Sequence, residues 1–307
     1  MTILPRRLER GATVGIFSPS EPVTPERQER MRPSLDLLAR NFEPRFASHA
    51  FEMTYYQAGS RDQRLEDFHE LLDDPSVDCL LGSWGGKSAN QMIRGLPYDR
   101  IASARKPIVG FSDVCVILNA ITAQTGLITF CGPNIAGKLN ESDHWDLDLL
   151  RGANPPPFGR TAAGCFETIR GGRAEGVLYG GNLTTFVLGL AGSGWMASMD
   201  EIVFFWESGS EPPQILDQHL TCLENCGFMD RVVAMVVGDA TYEETASYKD
   251  RPLNDLLMDV GERFGIPVAR IPNFGHHKLE NPAIPIGASV AVDADRRSVS
   301  LLGAVVE

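Results

Sequence analysis

The chain has 307 residues, with 28 Lys and Arg set against 40 Asp and Glu for a formal charge of -12 at neutral pH. That length exceeds what a single core usually organises, which predicts two domains, and 43% hydrophobic with 22% charged residues excludes a disordered or fibrous chain. The negative balance opposes nucleic-acid phosphates and anionic lipid, so neither a nucleic-acid polymer nor a membrane is an expected partner.

In chain order, the N-terminal part alternates short apolar runs with amphipathic ones: ATVGIFSPS, TPERQERMRPSLDLLARNF, PRFASHA, RDQRLEDFHELLDD, VDCLLGSWGG, SANQMIRGL, KPIVGFSD and VCVILNAITAQTG. This alternation predicts βαβ units around a mostly parallel sheet, an α/β domain over residues 1–137. Ligands of such sheets gather at the carboxyl ends of the strands, so the loops SPSEP, SWGGKS and GFSD are expected to open onto one crevice. Residues 138–172, with three consecutive prolines and several glycines, predict an irregular interdomain connection. A C-terminal domain of mixed strands and helices is expected over 173–307. It comprises RAEGVLYGGNL, the helical TTFVLGLAG, strand EIVFFWE, helix PQILDQHLTCLENCG, strand RVVAMVVGD, helix PLNDLLMDVGERFG, strand IPVARI and a closing hairpin around DADRR.

The longest apolar runs, VVAMVVG and EIVFFW, are strand-sized and too short to cross a bilayer. The first residues, MTILPRRLERGATVGIF, lack the apolar region and cleavage site of a secretory signal, and a cytoplasmic location is expected. Cys79, Cys115, Cys131, Cys165, Cys222 and Cys226 form no disulfide framework and are expected to be reduced. Cys222 and Cys226 could share a helix face, but with no paired histidine spacing nearby the core, not a metal, is their expected place.

Ser112 follows an apolar strand and precedes a helix starting near Val114, the strand-turn-helix setting that exposes a nucleophile. The run GFSDV lacks the second glycine of G-x-S-x-G, however, and a helix cap by Ser112 or Asp113 accounts for the same residues. A serine hydroxyl needs a base, and histidine titrates near neutrality. His49, His69, His144 and His219 read as solvated surface residues. His276 and His277 stand in a proline- and glycine-punctuated loop beyond a strand, where functional residues concentrate, and one of them is the candidate base. Glu207 ends an apolar, aromatic strand, where a charge is costly without a partner, and is the candidate carboxylate to orient the imidazole. Glu211 in the same loop is its rival.

The ordered segments GIFSPSEPV, LLGSWGGKSANQMI, KPIVGFSD, TGLITFCGP, GVLYGGNLTT, IVFFWE with EPP, and FGHH followed by PIG carry a family resemblance over nearly the whole chain. The chain resembles the LD-carboxypeptidase family of serine peptidases, which also contains the microcin C immunity proteins. The resemblance implies an active site at the interdomain cleft. Ser112 would be the nucleophile from the N-terminal domain, with Glu207 and His276 supplied by the C-terminal domain. His276 is preferred over His277 because it directly follows Gly275 of the family's G-H element. An acyl-enzyme mechanism is implied, with the backbone N–H of Asp113 and one from the Gly85–Gly86 turn as oxyanion donors.

No metal or organic cofactor is implied, and a homodimer is. The implied substrate is either a murein tetrapeptide, losing its terminal D-alanine, or an aminoacyl group joined to a sulfamoyl or phosphoramidate nucleotide. Substrate contacts are expected from Gly85, Lys87, Asn182, Trp195 and His277. Trp195 is available either to stack on a nucleobase or to plug the domain interface, and Asn182 either to touch substrate or to cap a turn. Arg94 and Arg105 could meet a substrate carboxylate, with plain surface charge as the alternative. A different class of reading makes the chain a non-catalytic two-domain protein that closes on a small ligand, with Ser112 as a cap.

Overall fold

The computed structural model describes residues 2–135, 150–152, 157–159, 162–241, 251–277 and 281–307. The first half carries strands β1 (Thr13–Phe17), β2 (Glu43–Phe46), β3 (Cys79–Gly82), β4 (Ile108–Gly110) and β5 (Thr129–Cys131). Between them run helices α1 (Pro25–Leu38), α2 (Arg61–Asp73), α3 (Tyr98–Ala104) and α4 (Val114–Thr125). The second half adds β6 (Glu167–Arg170), β7 (Arg173–Asn182), α5 (Leu183–Leu190), β8 (Ile202–Glu207), α6 (Pro213–Asn225), β9 (Val232–Val237) and α7 (Leu253–Phe264). It closes with β10 (Val268–Arg270), β11 (Ile284–Ile286), β12 (Ser289–Asp293) and β13 (Ser298–Leu301).

Two sheets result. The first has the order β11-β5-β4-β3-β1-β2 and is parallel except for β11. The second has the order β13-β12-β7-β8-β9-β10-β6, with β7 to β10 parallel and antiparallel strands on both flanks. The mixed α/β, two-domain architecture is the one expected. Details differ where local pattern is weak. SANQMIRGL forms two 3-10 turns, Ala89–Gln91 and Ile93–Gly95, and not an α-helix. The end of the expected connection, Glu167–Arg170, is the edge strand β6, while most of 138–161, His144 included, lies outside the described residues. Strand β11 crosses back to pair with β5 in the first sheet.

Helix α4 sits between the two halves, packed on β4 and β5 on one side and on β7 and α5 on the other. Val114 to Thr122 are all buried, which is why this helix is apolar all round where α2 is amphipathic. Its one mid-helix amide, Asn119, donates through Nδ2 to the Gly180 carbonyl at 2.8 Å and accepts from the Gly180 N–H at 3.1 Å. One side chain thereby ties α4 to β7 across the domain boundary. A Cβ at Gly180 would lie 1.8 Å from the Phe205 carbonyl oxygen, and one at Gly181 would lie 2.8 Å from the Cys115 Cβ. The glycine pair lets β7 approach both β8 and α4.

Two local expectations are corrected by burial. Cys222 and Cys226 are exposed rather than in the core, because they lie on the outer face of α6 and at its C-cap. His219, expected on a solvated face, is buried, and burial lowers its pKa. No helix among the described residues is long and apolar enough to cross a membrane.

Candidate active site

The turn after β4 places Ser112 in the left-handed region, at φ 61°, immediately before α4. Val114, at the position of the second glycine in G-x-S-x-G, packs on Gly110 so closely that a Cβ there would lie 2.4 Å from it. Asn134 braces the turn from the loop after β5, its Oδ1 accepting from Phe111 N at 2.8 Å and its Nδ2 donating to Phe111 O at 3.2 Å. A non-glycine residue held at positive φ costs on the order of 1–3 kcal/mol and persists where its surroundings enforce it. Neither polar side chain caps α4. The Ser112 hydroxyl faces His276, and the Asp113 carboxylate turns back to accept from Ser88 N at 2.8 Å and Ala89 N at 2.9 Å. The capping alternative for this serine is therefore set aside.

Glu207 arrives from the other half, at the end of β8 and in register with Asn182 on β7. Its side chain is 1% exposed. Oε2 accepts from His276 Nδ1 at 2.6 Å and from the His276 backbone N–H at 3.2 Å, while Oε1 accepts from Asn182 Nδ2 at 3.0 Å. His276 Nε2 lies 3.0 Å from Ser112 Oγ. The ring is held between Phe111, at a centroid distance of 4.9 Å, and the backbone of Gly209. A carboxylate only accepts, so Nδ1 carries the ring proton and Nε2 presents its lone pair to the hydroxyl. Burial acts to lower the His276 pKa, but the charge and hydrogen bond of Glu207, with the charge of Asp239 behind, hold it above the ordinary 6.5.

Above Ser112 lies the loop after β3. A Cβ on Gly85 would stand 3.0 Å from Ser112 Cβ and 3.1 Å from its Oγ, so only a glycine leaves the hydroxyl open at this point. Gly86 adopts φ 144°, pressed on Ser20. The turn bonds at the head of α4 run from Val114 N to Phe111 O, Cys115 N to Ser112 O and Val116 N to Asp113 O, none of them using the Asp113 N–H. That amide and the positive end of α4 lie beside the hydroxyl, a setting that favours a developing negative charge.

The remaining expected residues divide. Lys87 is exposed in the same loop, and His277 is exposed beside His276 with its Nε2 2.7 Å from Ser210 Oγ. Asn182 is not an open substrate contact, since its Nδ2 goes to Glu207 and its Oδ1 caps α5 by accepting from Thr185 N at 3.1 Å. Trp195 is elsewhere. It stacks under the Arg94 guanidinium at 5.3 Å and neighbours Gly194, whose carbonyl accepts from Gln124 at the far end of α4. Arg105 is occupied with Leu4 O and Glu307, and Glu211 takes the Thr184 hydroxyl at 3.4 Å and does not bond the imidazole. Asn134 and Asn119 were missed, although an amide in the middle of an apolar helix is a visible signal. Among the described residues no group of three or more His, Cys, Asp or Glu is gathered to hold a metal ion.

The chain is 26% identical to the microcin C7 self-immunity protein MccF of Escherichia coli, over 97% of this chain and 95% of that protein. It is 28% identical to the murein tetrapeptide carboxypeptidase of Pseudomonas aeruginosa, over 78% of this chain and 80% of that one. A solved structure of MccF in complex with aspartyl sulfamoyl adenosine matches with a TM-score of 0.83 at 25% identity, covering 99% of this chain and 100% of the other. Residues 14–132 match the LD-carboxypeptidase N-terminal domain and residues 175–292 the C-terminal domain, so the protein belongs to the LD-carboxypeptidase family of serine peptidases.

Proposed function

We propose that the protein hydrolyses a small amide through an acyl-enzyme, with Ser112 as nucleophile, His276 as general base and acid, and Glu207 as the group that orients and charges the imidazole. The observation that carries this reading is the unbroken chain Ser112 Oγ, His276 Nε2, His276 Nδ1, Glu207 Oε2, with links of 3.0 and 2.6 Å, drawn from two domains. His276 takes the hydroxyl proton as Oγ attacks the carbonyl carbon, then returns it to the departing amine. The Asp113 N–H and an amide of the Gly85–Gly86 turn receive the oxyanion, a contribution of about 3 kcal/mol per donor in other hydrolases. Water then repeats the cycle on the ester.

The substrate class is an L,D-peptide such as a murein tetrapeptide, or an aminoacyl-sulfamoyl nucleotide of the kind the MccF structures contain. Trp195 lies under Arg94 beside the C-terminal end of α4, and neither branch is argued from it. A cytoplasmic homodimer belongs to the same reading. The test offers purified protein an L,D-tetrapeptide and an aminoacyl-sulfamoyl adenosine in parallel, with amine release as the readout. Turnover of one, abolished by Ser112→Ala, is the expected result. No turnover of either, together with no acyl adduct on Ser112, would leave the non-catalytic binding reading in its place.

A further inference from the structure

Helix α2 carries an arginine that its charged sequence gives no reason to bury. Arg64 is 1% exposed, and every partner of its guanidinium among the described residues is a neutral oxygen. Nη1 donates to Pro19 O at 2.7 Å, Ser88 Oγ at 3.2 Å and Ser88 O at 3.3 Å, and Nη2 donates to Gln91 Oε1 at 2.7 Å. A buried charge is costly unless hydrogen bonds satisfy it, and here the Nη1 and Nη2 bonds all go to the loops after β1 and β3.

Those loops in turn hold the amides around Ser112. Ser88 N donates to Ser20 Oγ at 2.9 Å and to Asp113 Oδ2 at 2.8 Å, so Ser88 stands between the guanidinium and the carboxylate next to the nucleophile. Glu21 N donates to Gly85 O at 3.2 Å, which fixes the plane of the Gly85–Gly86 peptide, and Gly86 rests on Ser20. Arg64 thus joins two of the crevice loops directly, and the Ser88 N–H ties them to the third, without the guanidinium touching any reacting atom. Burial lowers the Arg64 pKa and the Asp113 charge raises it, in keeping with this proximity.

We propose that Arg64 is a positioning residue for acyl transfer, clamping Pro19, Ser88 and Gln91 so that the Gly85–Gly86 peptide stays in place over Ser112. The inference rests on the hydrolase reading above. Its test compares Arg64→Met, Arg64→Lys and Ser88→Ala with wild type, each normalised to folded protein by its unfolding transition. A misplaced donor is expected to lower kcat by about 10–100-fold in Arg64→Met while KM moves little, because the loss is felt in the transition state. Arg64→Lys, which keeps the charge but not the planar fork, should recover part of the loss. A residue that only packs α2 would lower the melting temperature and leave kcat untouched, and that result overturns the proposal. If Arg64→Met does not fold, Ser88→Ala decides the matter, since it removes the hydroxyl between Arg64 and Ser20 but keeps the amide on Asp113: a fall in kcat supports the clamp, and wild-type kcat overturns it. A wild-type protein that neither turns over nor acquires an adduct on Ser112 removes the hydrolase reading and this one together, whereas normal turnover in folded variants removes this one alone.

Discussion

Replacing Glu207 by glutamine exchanges one carboxylate oxygen for an NH2 group, and the surrounding hydrogen bonds decide which way the new amide must face. Asn182 cannot turn, because its Oδ1 is held by Thr185 N at 3.1 Å, so its Nδ2 continues to face the position of Oε1 at 3.0 Å and demands an oxygen there. The amide NH2 of the glutamine is then forced toward His276, where Nδ1 at 2.6 Å and the backbone N–H at 3.2 Å were both donors. To meet it, Nδ1 must accept, which moves the ring proton to Nε2 and points it at Ser112 Oγ. The base is lost through the wrong tautomer, with an expected fall in kcat of roughly 10⁴, or about 5 kcal/mol. Adding Asn182→Ala frees the amide to turn its oxygen to the imidazole, so the double variant should exceed the single one by about tenfold or more. The assay is single-turnover acylation of Ser112 beside a thermal melt. A Glu207→Gln protein within tenfold of wild type, or a double variant no faster than the single one, would refute the reasoning.

The same geometry sets three further outcomes. The base must be neutral to accept a proton and the His276 pKa is held above 6.5, so kcat/KM should rise with pH along an acid limb centred above 6.5; a limb below that value contradicts the Glu207 effect. Gly85→Ala should abolish acylation with little change in melting temperature, since its Cβ would stand 3.1 Å from Ser112 Oγ while the backbone conformation remains open to alanine; retained acylation would show that substrate approaches from elsewhere. Asn119→Ala leaves the Gly180 N–H and carbonyl without their partner, at about 1–3 kcal/mol for each buried orphan, so denaturant unfolding should show a loss of about 2–6 kcal/mol.

Elements buried on both faces were the most legible in the sequence. The run IVFFWE becomes β8 with every residue buried, and the all-apolar α4 becomes the helix between the two halves. Loops at strand ends were legible too, which is why Ser112, Glu207 and the pair His276–His277 stood out as candidates from residue type and position, while the choice of His276 over His277 came from the family resemblance. What escaped depends on long-range pairing. Nothing local in AIPIG tells that Ile284–Ile286 will join β5, more than 150 positions earlier in the sequence. Asn182 could be a contact or a cap until the register Asn182 to Glu207 placed its amide on the carboxylate. Arg64 and Asp67 lie in the amphipathic run RDQRLEDFHELLDD, where nothing local marks them as buried, yet both are, because the loops that fold over α2 bring polar partners to them. Which end of α4 the loop carrying Trp195 meets is decided only by tertiary packing.

The central claim is that the hydroxyl of Ser112 is activated by an imidazole supplied from the other domain. It is tested most directly by treating the protein with a fluorophosphonate and mapping the adduct by peptide mass spectrometry, alongside His276→Ala. The account predicts a single phosphonyl group on Ser112 in the wild-type protein and a rate at least about 10³-fold slower in the variant. Modification of a different serine, or equal labelling of Ser112 in both proteins, would contradict it.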